Sequence, residues 1–134
     1  MVLEGFKELI RDLKALVRRA LREKESEVEL YETLFEDVDI KSEEDWISLY
    51  HDEIPSTLKA ILEKVGLACK LFHKKDAVPG PEYVANCITR TGRKIALGLD
   101  VDYDHEVGEV KLTYATAYGD EEWTPNQLVY YHEV

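Results

Sequence analysis

The chain predicts a single α+β domain over residues 1–134, with residues 1–66 mainly helical and residues 67–134 mainly strand. The second half reads as an antiparallel meander of four to five strands on which the helical half packs. Three observations predict this. Apolar side chains recur at helical spacing near the N-terminus. They alternate with polar or small ones between Lys94 and Tyr118. Turn residues punctuate the second half at short intervals.

Leu3 to Glu25 is the clearest helix. Phe6, Ile10, Leu13, Val17 and Ala20 recur at spacings of three and four, and Leu9, Leu16 and Leu21 widen the stripe. That stripe suits core packing, and it also fits a dimer seam. Residues 26–40 favour a second amphipathic helix through Val28, Tyr31, Leu34, Phe35 and Val38, although Glu27 to Leu30 could equally begin a strand. Ser42 followed by Asp45 marks a capped helix start, with Trp46, Ile47 and Tyr50 as its buried side. Pro55 opens another helix and Gly66 closes it.

Strands follow at Leu67–Leu71, Tyr83–Arg90, Lys94–Asp104 and Val110–Tyr118. They are separated by a turn at 76–81, the pair Thr91-Gly92 and the loop 105–108. With a four-residue loop, Asp104 faces Glu109, Asp102 faces Lys111 and Asp100 faces Thr113. Extending the pairing through Thr91-Gly92 sets Ile88 opposite Ile95 and Val84 opposite Leu99. Ala85, Cys87, Ala96, Gly98, Ala115 and Ala117 would then share the other face as a row of small residues. Residues 128–131 fit helix and strand alike.

Composition narrows the function classes. The net charge is −11, with 34% charged and 45% hydrophobic residues. Residues 26–55 hold eleven acids against one base, and residues 99–134 nine acids against one. A field of that sign repels nucleic acid and favours a basic protein partner or a cation. No apolar run is long enough for a membrane span, and Met1 to Glu8 lacks the pattern of a signal peptide, so a cytoplasmic location is expected. Cys69 and Cys87 are expected to be buried free thiols. Asn and Gln together number only three, which in a charge-rich chain is a compositional trend of thermophile proteins.

Two chemistries compete for the carboxylates of the central hairpin. In the favoured one the protein is a non-catalytic binding or regulatory partner of the inhibitor, immunity, antitoxin or nucleic-acid-mimic kind, without a cofactor. Asp100, Asp102, Asp104 and Glu106 would form its anionic surface, and Trp46, Tyr50 and Trp123 its aromatic anchors. In the alternative, Asp100 and Asp102 followed by Glu109-Val110-Lys111 resemble the metal-binding core of the PD-(D/E)xK nucleases. That resemblance implies Mg²⁺ held by Asp102 and Glu109, with Lys111 orienting the attacking water. Leu99 and Val101 flank Asp100 where the motif would place its proline. A Ca²⁺ site along residues 100–106 fails on geometry, because same-face strand residues stand about 6.5–7 Å apart and cannot wrap an ion. The histidines, His51, His73, His105 and His132, show no metal-ligand spacing and are expected at the surface.

Overall fold

A computed structural model describes residues 3–75 and 77–134. Asp76, first residue of the expected 76–81 turn, lies outside the described residues, as do Met1 and Val2 of the N-terminal segment. A 3₁₀ turn (Leu3–Phe6) leads into α1 (Lys7–Glu23), and the chain then enters β1 (Glu25–Phe35). A short helix α2 (Glu43–Ile47), a π-helical turn (Ser48–Glu53) and α3 (Ile54–Val65) run on without a break. Four strands follow: β2 (Ala68–Lys74), β3 (Tyr83–Ile88), β4 (Lys94–Asp104) and β5 (Glu109–Gly119). A one-turn helix α4 (Pro125–Leu128) and a three-residue strand β6 (Tyr131–Glu133) complete the described chain.

All six strands form one antiparallel sheet in the order β1-β5-β4-β3-β2-β6. The meander β2 to β5 is its centre, and an element from each end of the chain adds an edge. Helices pack on one face: α1 against β1, β5 and β4, and α3 against β2. Leu9, Leu13, Leu16, Val17 and Ala20 of α1 are buried, while Phe6, Ile10 and Leu21 flank them half-buried. The stripe that would also fit a dimer seam therefore lies against the chain's own sheet. Among the described residues no helix is long and apolar enough to cross a membrane.

Of the helix expected over 26–40, residues 26–35 are strand and residues 36–40 are irregular. Glu25, Glu27 and Glu29 are exposed while Val28 and Leu30 pack on the core, a period of two. Pairing with β5 satisfies the inner edge of this strand's backbone, and tertiary pairing overrides its mixed local propensity. Tyr31 (φ 56°) sits at a break in that register. The sheet accordingly has two strands beyond the central four, more than the sequence reading counted.

Residues 101–112 pair as the alternation predicts: Asp104 with Glu109, Tyr103 with Val110, Asp102 with Lys111 and Val101 with Leu112. A bulge then sets Asp100 opposite Tyr114 rather than Thr113. Beyond it the faces of β5 exchange. Ala115, Ala117 and Gly119 turn to the helices, and Tyr114, Thr116 and Tyr118 turn outward. The β3–β4 register also differs by one residue from the expected one, with Ile88 opposite Lys94 and Val84 opposite Gly98. The cause is the turn: Thr89 N–H donates to Arg93 C=O (2.9 Å), so the connection is odd-numbered and centred on Thr91. A one-residue slip flips every side chain of a strand. The row of small residues is therefore divided. Ala85, Cys87, Ala115 and Ala117 lie under helices, whereas Ala96 and Gly98 face the other way.

That second face is half covered by the chain itself. A Cβ on Gly98 would stand 2.9 Å from Pro81 Cγ, so Pro81 lies directly over this glycine. Trp123 donates through Nε1 to Leu97 C=O (2.9 Å), and its backbone exchanges hydrogen bonds with the Asn86 amide at 2.6 and 3.0 Å. Thr124 and Gln127 form a reciprocal cap that starts α4, and the chain then pairs as β6, so residues 124–133 hold a helix and a strand in succession.

Cys69 and Cys87 are joined by a disulfide, correcting the expectation of free thiols. They stand directly opposite each other on β2 and β3 with Cα atoms 4.0 Å apart, an adjacency that separation along the chain conceals.

Candidate functional site: a histidine cluster beside the acidic hairpin

β4 and β5 run past the end of β3, which stops at Tyr83 opposite Leu99. Beyond that point β4 has no partner on its β3 side, while β5 stays paired with β1 as far as Val110. Asp102, Asp104 and Glu106 on the hairpin are exposed, and Asp100, Glu109 and Lys111 are half-buried. Asp104 accepts the Glu106 N–H (3.0 Å) and so shapes the tip. Lys111 Nζ lies 3.7 Å from Glu109 Oε1, a partly exposed pair of small energetic weight. Burial, helped by the nearby charges of Asp102 and Glu82, raises the Asp100 carboxyl above its ordinary range, although a backbone hydrogen bond at Glu82 works the other way. Val38 straps the tip by donating its N–H to Gly108 C=O (2.8 Å) and accepting from the Tyr103 hydroxyl (2.9 Å).

The three expected aromatic anchors fall in different places. Trp46 is 46% exposed and stacks on Tyr50 (centroids 4.6 Å apart), with its edge toward Tyr103 at 6.2 Å. Ile47 is exposed beside it. These two do not form the buried side of α2, because that role passes to Leu49 and Tyr50 in the following turn. Tyr50 is only 4% exposed, which removes it as a surface anchor. Burial, then the charges of Glu82 and Asp102, push its phenol far above the usual tyrosine range. Trp123 closes the outer face of the sheet, as its hydrogen bonds require.

Next to this end of the sheet the fold assembles a group that the sequence reading missed. His73 on β2 stands directly opposite His132 on β6, with both side chains on the helix-facing side. His51 reaches them from the π-helical turn, a widened turn often found at functional sites. Ring centroids are 4.7 Å apart for His51–His132, 5.1 Å for His51–His73 and 5.5 Å for His73–His132. One ring nitrogen from each falls within 4.8 Å of the others. Glu82 Oε2 lies 3.0 Å from His73 Nε2. A carboxylate can only accept, so this contact places a proton on Nε2 and, in the neutral ring, leaves the Nδ1 lone pair free. His73 Nδ1 and His132 Nε2 are both buried without a hydrogen-bond partner among the described residues. Burial, then the neighbouring His51 and His73, lower the His132 pKa below its ordinary value and favour the neutral ring.

Below His73, Tyr83 packs its ring at 4.8 Å and donates its hydroxyl to Tyr50 C=O (2.6 Å). A cleft of about 250 Å³ lined by Trp46, Tyr50, His73, Lys74 and Glu82 opens here. Both lysines beside it have carbonyl partners: Lys74 Nζ donates to Gly80 (3.2 Å) and Lys75 Nζ to Val129 (3.0 Å). No local signal marks this cluster in the sequence, since its members come from three separate elements. Only knowledge that β6 pairs with β2 would have revealed it. No protein-family model, curated protein or solved structure matches the chain.

Proposed function

We propose that the protein is a non-catalytic binding or regulatory partner that engages a basic protein through the exposed carboxylates of its sheet's outer face. The supporting observation is that α1 and α3 pack on one face, while on the other only Pro81 and the Trp123–Leu128 segment lie over β2, β3 and the start of β4. On that outer face, the exposed Glu25, Glu27 and Glu29 of β1 stand across β5 from Ala96, Gly98 and Asp100, and the exposed Asp102, Asp104 and Glu106 follow further along the hairpin, with Lys111 opposite Asp102. Trp46, its edge toward Tyr103 near the hairpin tip, supplies an exposed aromatic on the helix side of the same end of the sheet. Complementary charge of this kind accelerates encounter and makes association sensitive to salt. A cytoplasmic setting and a thermophilic source belong to the same reading. Intracellular proteins of hyperthermophiles carry disulfides, and the amide-poor composition fits that origin.

The test is a pull-down with immobilised protein at low and high ionic strength. A basic partner retained at low salt should be lost at high salt, and lost from the Asp102→Asn/Asp104→Asn/Glu106→Gln variant at either. Retention indifferent to both changes would count against the reading.

One observation favours the Mg²⁺ nuclease as a second reading: the register sets Asp102 opposite Lys111 and Asp104 opposite Glu109 at one end of the hairpin. It predicts Mg²⁺-dependent cleavage of DNA or RNA that disappears in Lys111→Ala. Lack of cleavage with both Mg²⁺ and Mn²⁺ rejects it.

A further inference from the structure

We propose that His51, His73 and His132 form a binding site for a divalent transition-metal ion of the zinc class, with Glu82 as the carboxylate that orients His73. Four independent features of the fold converge on it.

The first is convergence itself. Three imidazoles arrive from a π-helical turn, a central-sheet strand and a terminal strand, yet one nitrogen of each lies within 4.8 Å of the other two. A four-coordinate zinc–imidazole centre with bonds of about 2.0–2.1 Å sets its nitrogens about 3.4 Å apart. Closing that gap falls to His51 and His132, which are half-buried, while His73 is held in the core.

The second is hydrogen bonding. Buried polar atoms nearly always have partners, and each that lacks one costs stability. His73 Nδ1 and His132 Nε2 have none among the described residues, and they belong to two directly opposed residues. A cation shared between the two lone pairs satisfies both atoms at once.

The third is the Glu82–His73 contact at 3.0 Å. A carboxylate on the far nitrogen of a ligating imidazole fixes the tautomer, aims the ring and raises its basicity. Here it leaves Nδ1, the orphaned atom, as the ligand.

The fourth is ligand chemistry. Imidazole suits Zn²⁺, Cu²⁺ and Ni²⁺, whereas Mg²⁺ and Ca²⁺ need oxygen donors. Three histidines leave one position of a tetrahedral ion for water or an incoming group. Lys74 and Lys75, the nearest ammonium groups on β2 and its extension, are directed at backbone carbonyls rather than at the cluster. The site is separate from the hairpin carboxylates and independent of the partner-binding reading. Its structural consequence is a tie between three elements: the ion joins the π-helical turn and the short β6 to β2.

The full-length chain, stripped of metal with a chelator, is titrated with Zn²⁺ alone and with Co²⁺ alone. Saturable uptake of one ion per chain is expected, with a four- or five-coordinate Co²⁺ visible spectrum and a melting midpoint that climbs with free metal. His51→Ala and His132→Ala should each abolish that uptake while keeping the wild-type circular dichroism. Glu82→Gln should weaken it about 10- to 100-fold, the usual effect of losing such a carboxylate. His73→Ala is avoided, because its side chain lies in the core. A measurement on the unmodified chain complements the variants: imidazole NMR signals of His51, His73 and His132 should shift with Zn²⁺ while those of His105 on the hairpin stay in place. The proposal is overturned by absence of saturable uptake. It is equally overturned by uptake that persists in both histidine variants, or by signals of the three histidines that do not move.

Discussion

Gly119→Ala should destabilise the fold by about 3 kcal/mol, the upper end of what overpacking a tight interior usually costs. A Cβ at this position would stand 2.2 Å from the Ala20 carbonyl oxygen, 2.8 Å from its carbon and 3.0 Å from Leu21 Cα. All three are backbone atoms of the last turns of α1, so no side chain can swing aside and the helix must move as a body. Its end is pinned on both sides of the contact. Gly119 N–H donates to Lys24 C=O (2.8 Å), and the Arg93 guanidinium donates to Leu21 C=O (3.0 Å) while pairing with Asp120 at 2.7 Å. Shifting the helix would also disturb Leu13, Leu16 and Val17, which fill the space above β4 and β5. Urea unfolding should show a lower midpoint with an unchanged slope. Gly5→Ala is the control, because a Cβ there meets nothing within 4 Å and its cost should be close to zero. Equal stability of the two variants would mean that α1 does not rest on β5 at this glycine.

Reduction of the Cys69–Cys87 bond should have an effect of similar size. The two residues are 18 apart in sequence, and a cross-link closing a loop of about that length restricts the unfolded chain by about 3 kcal/mol. The folded side should change little, since backbone pairing already holds β2 and β3 in register from Ala68–Ile88 to His73–Tyr83. Melting with and without dithiothreitol, alongside the Cys69→Ala/Cys87→Ala variant, reads the difference. Both the reduced protein and the variant should melt earlier than the oxidised chain. Coincident melts would remove the cross-link from the account of stability.

The central hairpin was legible almost residue by residue because one physical rule governs it. Ile95, Leu97, Leu99, Val101 and Tyr103 alternate with polar or small partners, and the inward face must stay apolar. Register from Val101 to Asp104 followed from the same rule and a short loop. It failed at Asp100, where the bulge inserts a residue that no pattern of hydrophobicity announces. β3 slipped by one for a related reason, since Thr91-Gly92 suggests a two-residue turn whereas the Thr89–Arg93 hydrogen bond closes a three-residue one. β1 was hidden by a segment whose apolar residues suit both periods until β5 is available to pair with it. The anionic face was visible because strand carboxylates declare themselves locally. The histidine cluster was not, because a strand of three residues at the C-terminus carries one of its members and pairing across 59 positions (132 − 73) carries no local trace.

Docking of a basic protein on the exposed carboxylates of the hairpin and β1 is what we propose. Its most direct test is the association rate of the captured partner, measured across a series of ionic strengths for the wild type and for Asp102→Asn/Asp104→Asn/Glu106→Gln. The account predicts a wild-type rate that falls steeply with added salt, and a variant rate that is slower at low salt and nearly flat. Two superimposable salt profiles would contradict it.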